Sequence, residues 1–175
     1  MRAFDPYVTS TRSLLSPYMS GLTAFARTPA GTWYVRNISR LVDEPLLRLT
    51  GGRVSSLYPV PTMLLTTIGA KTGQSRAHAL VYLVDHAGLI VVGSNFGETK
   101  QPAWYHNLLA NPRVEVLAGE HTGSYTAFEI TEPVERGRAW ALAVETAQVW
   151  ADYEARASNR TIPLIRLERL VSPAP

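Results

Sequence analysis

There is no cysteine in this 175-residue chain, which excludes a disulfide framework, a thiolate metal site and a cysteine nucleophile together. The histidines add little. His78, His86, His106 and His121 are scattered, and no two fall at the i, i+4 spacing of helical metal ligands, so no metal is expected. No apolar run approaches the roughly 18 residues of a membrane-spanning helix. Met1-Arg2 is followed by polar and charged residues rather than an apolar leader core, and the expected compartment is the cytoplasm. The phosphate-binding signatures are missing too. No GxGxxG occurs, which argues against a Rossmann nicotinamide site, and Gly69-Ala70-Lys71-Thr72 lacks the adjacent Gly-Lys pair and following helix of a Walker loop.

What is present fits one domain with a real core, since 46% of the residues are apolar. The net charge of +3 is unevenly placed: residues 1 to 60 hold seven arginines against Asp5, Asp43 and Glu44, whereas residues 101 to 175 are mildly acidic. That asymmetry favours an anionic partner near the N-terminal half. It does not point to nucleic acid, because the arginines are dispersed and lack the interleaved aromatics of single-strand binders.

Leu14, Leu15, Tyr18, Met19, Leu22 and Phe25 recur at helical spacing between Arg12 and Arg27, predicting an amphipathic helix. A second helix is expected over Trp33 to Leu49, with Trp33, Val35, Ile38, Leu41, Val42, Leu46 and Leu49 apolar, ended by Gly51-Gly52. Two helices packed on the main domain account for the pattern. A peripheral membrane contact through residues 12 to 27 is the competing reading. From Met63 the pattern changes to short apolar runs: Met63 to Ile68, Ala77 to Val84, Leu89 to Gly93, Val114 to Ala118, Ser124 to Ile130 and Leu164 to Leu170 read as strands. Glycine-bearing breaks between them have hairpin length, so the strands pair antiparallel. Helices are expected at Pro102 to Ala110 and within Glu132 to Ala157. The division is a helical extension over 1–60, packed on or capping a mainly β barrel with helical caps over 61–175.

Three constellations carry candidate chemistry. The first is Thr66-Thr67-Ile68-Gly69-Ala70-Lys71-Thr72-Gly73-Gln74-Ser75-Arg76, where two cations, several hydroxyls and two glycines share a strand-to-strand turn. Such a turn can hold phosphate or carboxylate through a backbone nest and charge-assisted bonds from Lys71 and Arg76, or it can be a solvated hairpin with incidental cations. The second joins Ser94-Asn95-Phe96-Gly97 to Gln101 through Leu108. Its apolar strand, polar loop and aromatic helix suit a planar cofactor, although Trp104 and Leu108 at i, i+4 are more simply core. The third is Trp150, Tyr153 and Arg160-Thr161-Ile162-Pro163, where Tyr153 is either a proton donor or a packed ring with an exposed hydroxyl.

Together, Leu65 to Arg76, the strand ending at Ser94, Pro102 to Pro112 and Arg160 to Pro163 resemble the deazaflavin-dependent nitroreductase family of actinobacteria, over about Pro61 to Leu170. The resemblance implies a split β-barrel, like that of flavin mononucleotide-binding reductases, that binds coenzyme F420, an 8-hydroxy-5-deazaflavin. By position it implies a cofactor lining of Leu64, Leu65, Thr66, Ala70, Lys71, Thr72, Gly73, Gln74, Ser75, Val91, Val92, Gly93, Ser94 and Asn95, with Trp104 nearby. Lys71 and Arg76 take the phosphate and polyglutamate end; Ser94 sits near the ring and the acceptor. Val81 and Trp150 stand where nitroimidazole- and quinone-reducing members carry tyrosines, while Tyr153 is kept, which argues against nitroimidazole activation. Asn95 replaces a lysine found in some members.

The implied reaction is hydride transfer from reduced F420 to a quinone, enone or related conjugated acceptor, nitro compounds included, with Ser94 and Tyr153 as catalytic residues and Val81, Trp150 and Tyr153 lining the acceptor. Flavin mononucleotide or haem in the same barrel, or a non-catalytic F420 carrier, are the alternatives. A homodimer is compatible with the resemblance.

Overall fold

The structure, a computed structural model, describes residues 21, 24–25, 28–86, 88–119, 121–157 and 159–170. Six strands close into one antiparallel barrel. They are β1 (Thr62–Ile68), β2 (Ser75–Asp85), β3 (Gly88–Val92), β4 (Arg113–Ala118), β5 (His121–Glu129) and β6 (Leu164–Arg169), in the spatial order β1-β2-β3-β6-β5-β4 with β4 returning to β1. Each lies where the apolar runs predict it, shifted by at most three residues at an end. Among the described residues from Thr28 onward five α-helices accompany them: α1 (Pro29–Tyr34), α2 (Arg40–Leu49), α3 (Ala103–Ala110), α4 (Pro133–Thr146) and α5 (Val149–Arg156).

The burial pattern explains the sequence texture. In β4 exposed and buried residues alternate from Arg113 to Val116, as in a strand with one wet face. In β3, Leu89 to Val92 are all buried, and in β6 so are Leu164 to Leu167, because these strands are covered on both faces. One core fills the barrel: Met63, Leu65, Tyr82, Leu89, Val91, Val114, Val116, Tyr125, Ile165 and Leu167, plugged by Trp104 and Leu108 of α3. A second lies outside it, where Leu83, Ile90, Val92 and Leu164 pack beneath α4 and α5. At about 1.5–3 kcal/mol for each large apolar side chain removed from water, the two layers supply the main stabilisation.

A buried cation stitches the outer layer down. Arg166 of β6, 3% exposed, donates both terminal nitrogens to the carboxylate of Asp85 at 2.7 and 2.8 Å, and also bonds Glu135 of α4 at 2.8 Å. These bonds hold its charge and raise its pKa further, Asp85 contributing most. The start of α4 is fixed independently: Glu132 accepts from the N–H groups of Val134 and Glu135 at 3.0 and 2.6 Å, with Pro133 in the first turn.

The N-terminal helical segment departs from expectation. Helix does run from Pro29 to Leu49, capped by Thr28, whose hydroxyl accepts from Gly31 N–H at 3.0 Å. It is interrupted by a wider π turn over Val35–Ser39, and the apolar residues expected to face the barrel do not: Trp33 is 60% exposed, Leu41 73% and Leu49 86%. The buried seam is Ser39, Asp43 and Leu47, at i, i+4 and i+8. Its attachment is polar. Asp43 accepts from the Ser39 hydroxyl and, at 2.6 Å, from the N–H of Ser56. The π turn offsets the register that a continuous 3.6-residue period assumes. The amphipathic helix expected over 14 to 25 falls outside the described residues apart from Gly21, Ala24 and Phe25. No helix among the described residues is long and apolar enough to cross a membrane.

Replacing Arg166 by methionine leaves Asp85 and Glu135 without their shared cation, and breaking such a buried pair should lower unfolding free energy by about 3 kcal/mol, read as a shift of the urea midpoint.

Candidate active site

The barrel is uneven along its rim. Val91 of β3 stands opposite Tyr82, so β3 ends level with Val81, which pairs with Thr62. The β1–β2 ladder continues for six more rungs to Ile68 opposite Ser75. At ~3.3 Å per residue, that puts roughly 20 Å between the Val81 end and the Ser75 end. Ser94 lies just beyond β3 at the first end; Lys71 and Arg76 lie at the second.

The Gly69–Ser75 turn is built to a fixed shape. Gly69 N–H donates to Gln74 C=O and Gly73 N–H to Gly69 C=O, both at 2.8 Å. Gly73 has φ +66°, a conformation that favours glycine. Asn107 of α3, buried, braces the turn from inside: its side-chain oxygen accepts from Ala70 N–H at 3.0 Å, and its amide donates to the Thr67 hydroxyl at 3.0 Å. These bonds use the N–H groups of Gly69, Ala70 and Gly73 internally, so the backbone nest anticipated from the sequence is largely spent. What the turn offers an anion is side chains. Lys71, Thr72, Ser75 and Arg76 are all exposed, and neither Lys71 nor Arg76 enters an ion pair among the described residues.

At the other end, the chain leaving β3 turns sharply. Asn95, Phe96 and Gly97 all have positive φ, at +44°, +58° and +75°. Gly97 has no room for a side chain: a Cβ would lie 2.7 Å from the Tyr153 carbonyl oxygen and 2.8 Å from Arg156 Cβ. The loop is thus pressed against α5, and the aromatic groups meet there. The ring of Phe96 sits edge-on to that of Tyr153 with centroids 6.0 Å apart, and Trp150 sits edge-on to the same tyrosine at 5.8 Å. Arg156 lies over the Tyr153 ring at 4.8 Å, and Arg36, which is ion-paired to Glu98, lies over Phe96 at 5.3 Å. Val81 packs half-buried in the same cluster.

Tyr153 is 7% exposed. Burial pushes its hydroxyl pKa above the ordinary 10, against a smaller opposing pull from Arg156, so it keeps its proton through neutral pH.

The structure therefore brings Val81, Trp150 and Tyr153 together beside the Ser94 loop, and gathers Ala70 to Arg76 at the far turn. It treats other expected residues differently. Leu65, Val91 and Trp104 point into the barrel core, Val92 belongs to the outer core, and Leu64 is 1% exposed. Their side chains are committed to packing, and the backbone of Leu64, Leu65 and Val91 is paired with a neighbouring strand on each side. Asn107 carries a role that sequence reading missed, although it lies inside a quoted motif. Its signal was a polar residue on the helix face that Trp104 and Leu108 bury. Among the described residues no group of histidine and carboxylate side chains could hold a metal ion.

Comparison with known proteins supplies the family. The family profile of the F420H(2)-dependent quinone reductases matches residues 38–169. The F420H(2)-dependent quinone reductase Rv1261c of Mycobacterium tuberculosis is 37% identical over 145 residues, covering 77% of this chain and 97% of that protein. Among solved structures, an F420-H2 dependent reductase (FDR-A) superposes with a TM-score of 0.56 at 37% identity, over 62% of this chain and 94% of that one. A second, described as a domain-swapped dimer, does so with a TM-score of 0.58 at 34% identity, over 73% of this chain and 97% of that one. With a barrel of the matching fold, a cationic turn at one end of its projecting ladder and an aromatic cluster at the other, the chain belongs to the F420H(2)-dependent quinone reductase family.

Proposed function

We propose that this oxidoreductase binds F420 along the projecting β1–β2 ladder and passes a hydride to a quinone, enone or related conjugated acceptor, seated beside Val81, Trp150 and Tyr153. The observation that carries the reading is the separation of roles along about 20 Å of strand. Two exposed cations that enter no ion pair among the described residues stand at one end, suited to a phosphate and its carboxylate tail; a small polar loop and a dry aromatic cluster stand at the other. F420H2, when bound, supplies the hydride from C5 of its reduced ring.

The chain supplies the rest. Lys71 and Arg76 hold the anionic end by charge-assisted hydrogen bonds, with Thr72 and Ser75 as neutral donors. Asn107 keeps that turn in one shape. The backbone of Leu64 to Thr66 and of Val91 to Asn95 borders the length of the site. Ser94, 8% exposed, is small enough for the ring and the acceptor to approach each other over it. Val81 and Trp150 give the acceptor apolar walls and exclude water. Tyr153 holds a proton at its hydroxyl oxygen, ready for the reduced acceptor's oxygen.

Flavin mononucleotide is the competing ligand for such a barrel, and one titration separates the two. Fluorescence titration should show tighter binding of F420 than of flavin mononucleotide. Lys71→Ala/Arg76→Ala should weaken F420 by about a hundredfold, since two charge-assisted contacts of about 1.5 kcal/mol each are lost. Preference for the flavin, or indifference to the double substitution, would refute the assignment.

The proton role has its own signature. Because the protonated tyrosine is the active form and burial raises its pKa, the rate should be level through neutral pH and fall only above about pH 10. Tyr153→Phe should remove that alkaline limb and lower the rate about tenfold.

The exposed Trp33, Leu41 and Leu49 favour one addition, a peripheral membrane contact in which residues 12 to 27 take part. Sedimentation with anionic liposomes should carry down the full chain and leave a Trp33→Ser/Leu41→Ser/Leu49→Ser variant in solution.

A further inference from the structure

Arg160 makes an unusual set of bonds for a residue that the mechanism above does not use. Its guanidinium donates to four oxygens of a single loop: Nε to Glu98 C=O at 2.7 Å, Nη1 to Gly93 C=O at 3.3 Å and to Gln101 Oε1 at 2.6 Å, and Nη2 to Ser94 C=O at 2.5 Å. Gln101 is itself tied back by its amide to Thr161 C=O at 3.1 Å. Gly93 N–H reaches Pro163 C=O at 2.8 Å, and a Cβ on Gly93 would lie 2.5 Å from the Pro163 ring. The loop from Gly93 to Gln101 is therefore gripped at both ends by the segment Arg160–Pro163, and the planar guanidinium supplies most of the grip. No lysine could reproduce it, since a point ammonium cannot span four acceptors arranged around a fork.

The grip also sets peptide orientation. In a planar trans peptide the N–H points opposite to the preceding C=O. With the carbonyls of Gly93 and Ser94 turned to Arg160, the N–H groups of Ser94 and Asn95 are turned the other way. Two of the residues that follow, Asn95 and Phe96, hold positive φ without being glycine and so cost conformational energy, and such a backbone persists only where its surroundings hold it.

We infer that Arg160 is a positioning residue for hydride transfer: by fixing the carbonyls of Gly93, Ser94 and Glu98 it sets where Ser94 stands, without itself touching cofactor or acceptor. This rests on the reading that the reacting end of the cofactor lies at Ser94. Its consequence is a split between rate and affinity. Cofactor affinity is held chiefly by the distant Lys71–Arg76 turn, whereas the transfer step depends on sub-ångström placement at the Ser94 end.

The test uses the full chain with Arg160→Ala and Arg160→Lys. Hydrogen exchange of the ligand-free proteins reports on residues 94–101; fluorescence gives the F420 Kd; a single turnover of bound F420H2 with menadione gives the transfer rate. In Arg160→Ala we expect exchange at 94–101 to accelerate about tenfold beyond the rest of the barrel. The Kd should stay within about threefold and the transfer rate fall by about tenfold or more, with millimolar guanidinium ion restoring about threefold of the rate. Arg160→Lys should show the same pattern at smaller amplitude, and it decides the matter if the alanine variant does not fold. Equal losses of affinity and rate, or a loosened loop with an unchanged rate, would overturn the inference; so would a lysine variant identical to the original. If the unaltered protein oxidises no F420H2, the cofactor reading itself fails, and the exchange data from ligand-free protein still decide whether Arg160 holds the loop.

Discussion

Burial of β3 and β6 on both faces is the constraint from which the rest of the architecture follows. A strand covered on one side only would need one core; these two need a barrel interior on one side and α4 with α5 on the other. The requirement brings α5 against the end of β3, and with it Trp150 and Tyr153 against the loop that begins at Ser94. The aromatic cluster at this end of the molecule is thus a by-product of packing. The same pairing sets Pro163 against Gly93, so two stretches seventy residues apart in the chain become one piece of wall.

Charge is arranged to complement this. The apolar outer layer admits a buried guanidinium at Arg166 only because Asp85 and Glu135 complete it. Arg160 is satisfied instead by carbonyl oxygens, which offer dipoles and no net charge. Lys71 and Arg76 remain in water at the tip of the longest hairpin, where an anion can reach them from solvent without desolvating the protein first. The two ends of the ladder therefore differ in character, one ionic and wet, the other aromatic and dry.

Much of this was legible in the sequence, for identifiable reasons. Strands such as Val114 to Ala118 announce themselves through alternation, and the buried β3 through an unbroken apolar run between Gly88 and Gly93. The turn at Gly69 to Arg76 drew attention because two cations, several hydroxyls and two glycines share one strand-to-strand break, and the Ser94 loop because it follows an unbroken apolar strand. Periodicity failed at α2, where a π turn of five residues rotates the helix between Trp33 and Leu41, and where the buried positions include a serine and an aspartate that no hydrophobic pattern would select. Nor did alternation show that Leu65 and Val91, named through the family resemblance, turn their side chains into the barrel, since it says that a strand has two faces but not which of them is the interior. Asn107 and Arg160 act through atoms distant in sequence, Thr67 and Ala70 for the one, Gly93 to Gln101 for the other, and no local pattern encodes such partners.

The polar footing of α2 has a consequence for how this protein can change over evolutionary time. A helix anchored by Ser39, Asp43 and Leu47 contributes few side chains to either core, so its outward residues are unconstrained by the packing of the barrel beneath. Substitutions at Leu41 or Leu49 leave the fold's interior volume untouched. The arm and the barrel are therefore free to diverge at different rates, one tuned by whatever the outer surface encounters, the other held by the geometry of a hydride's path.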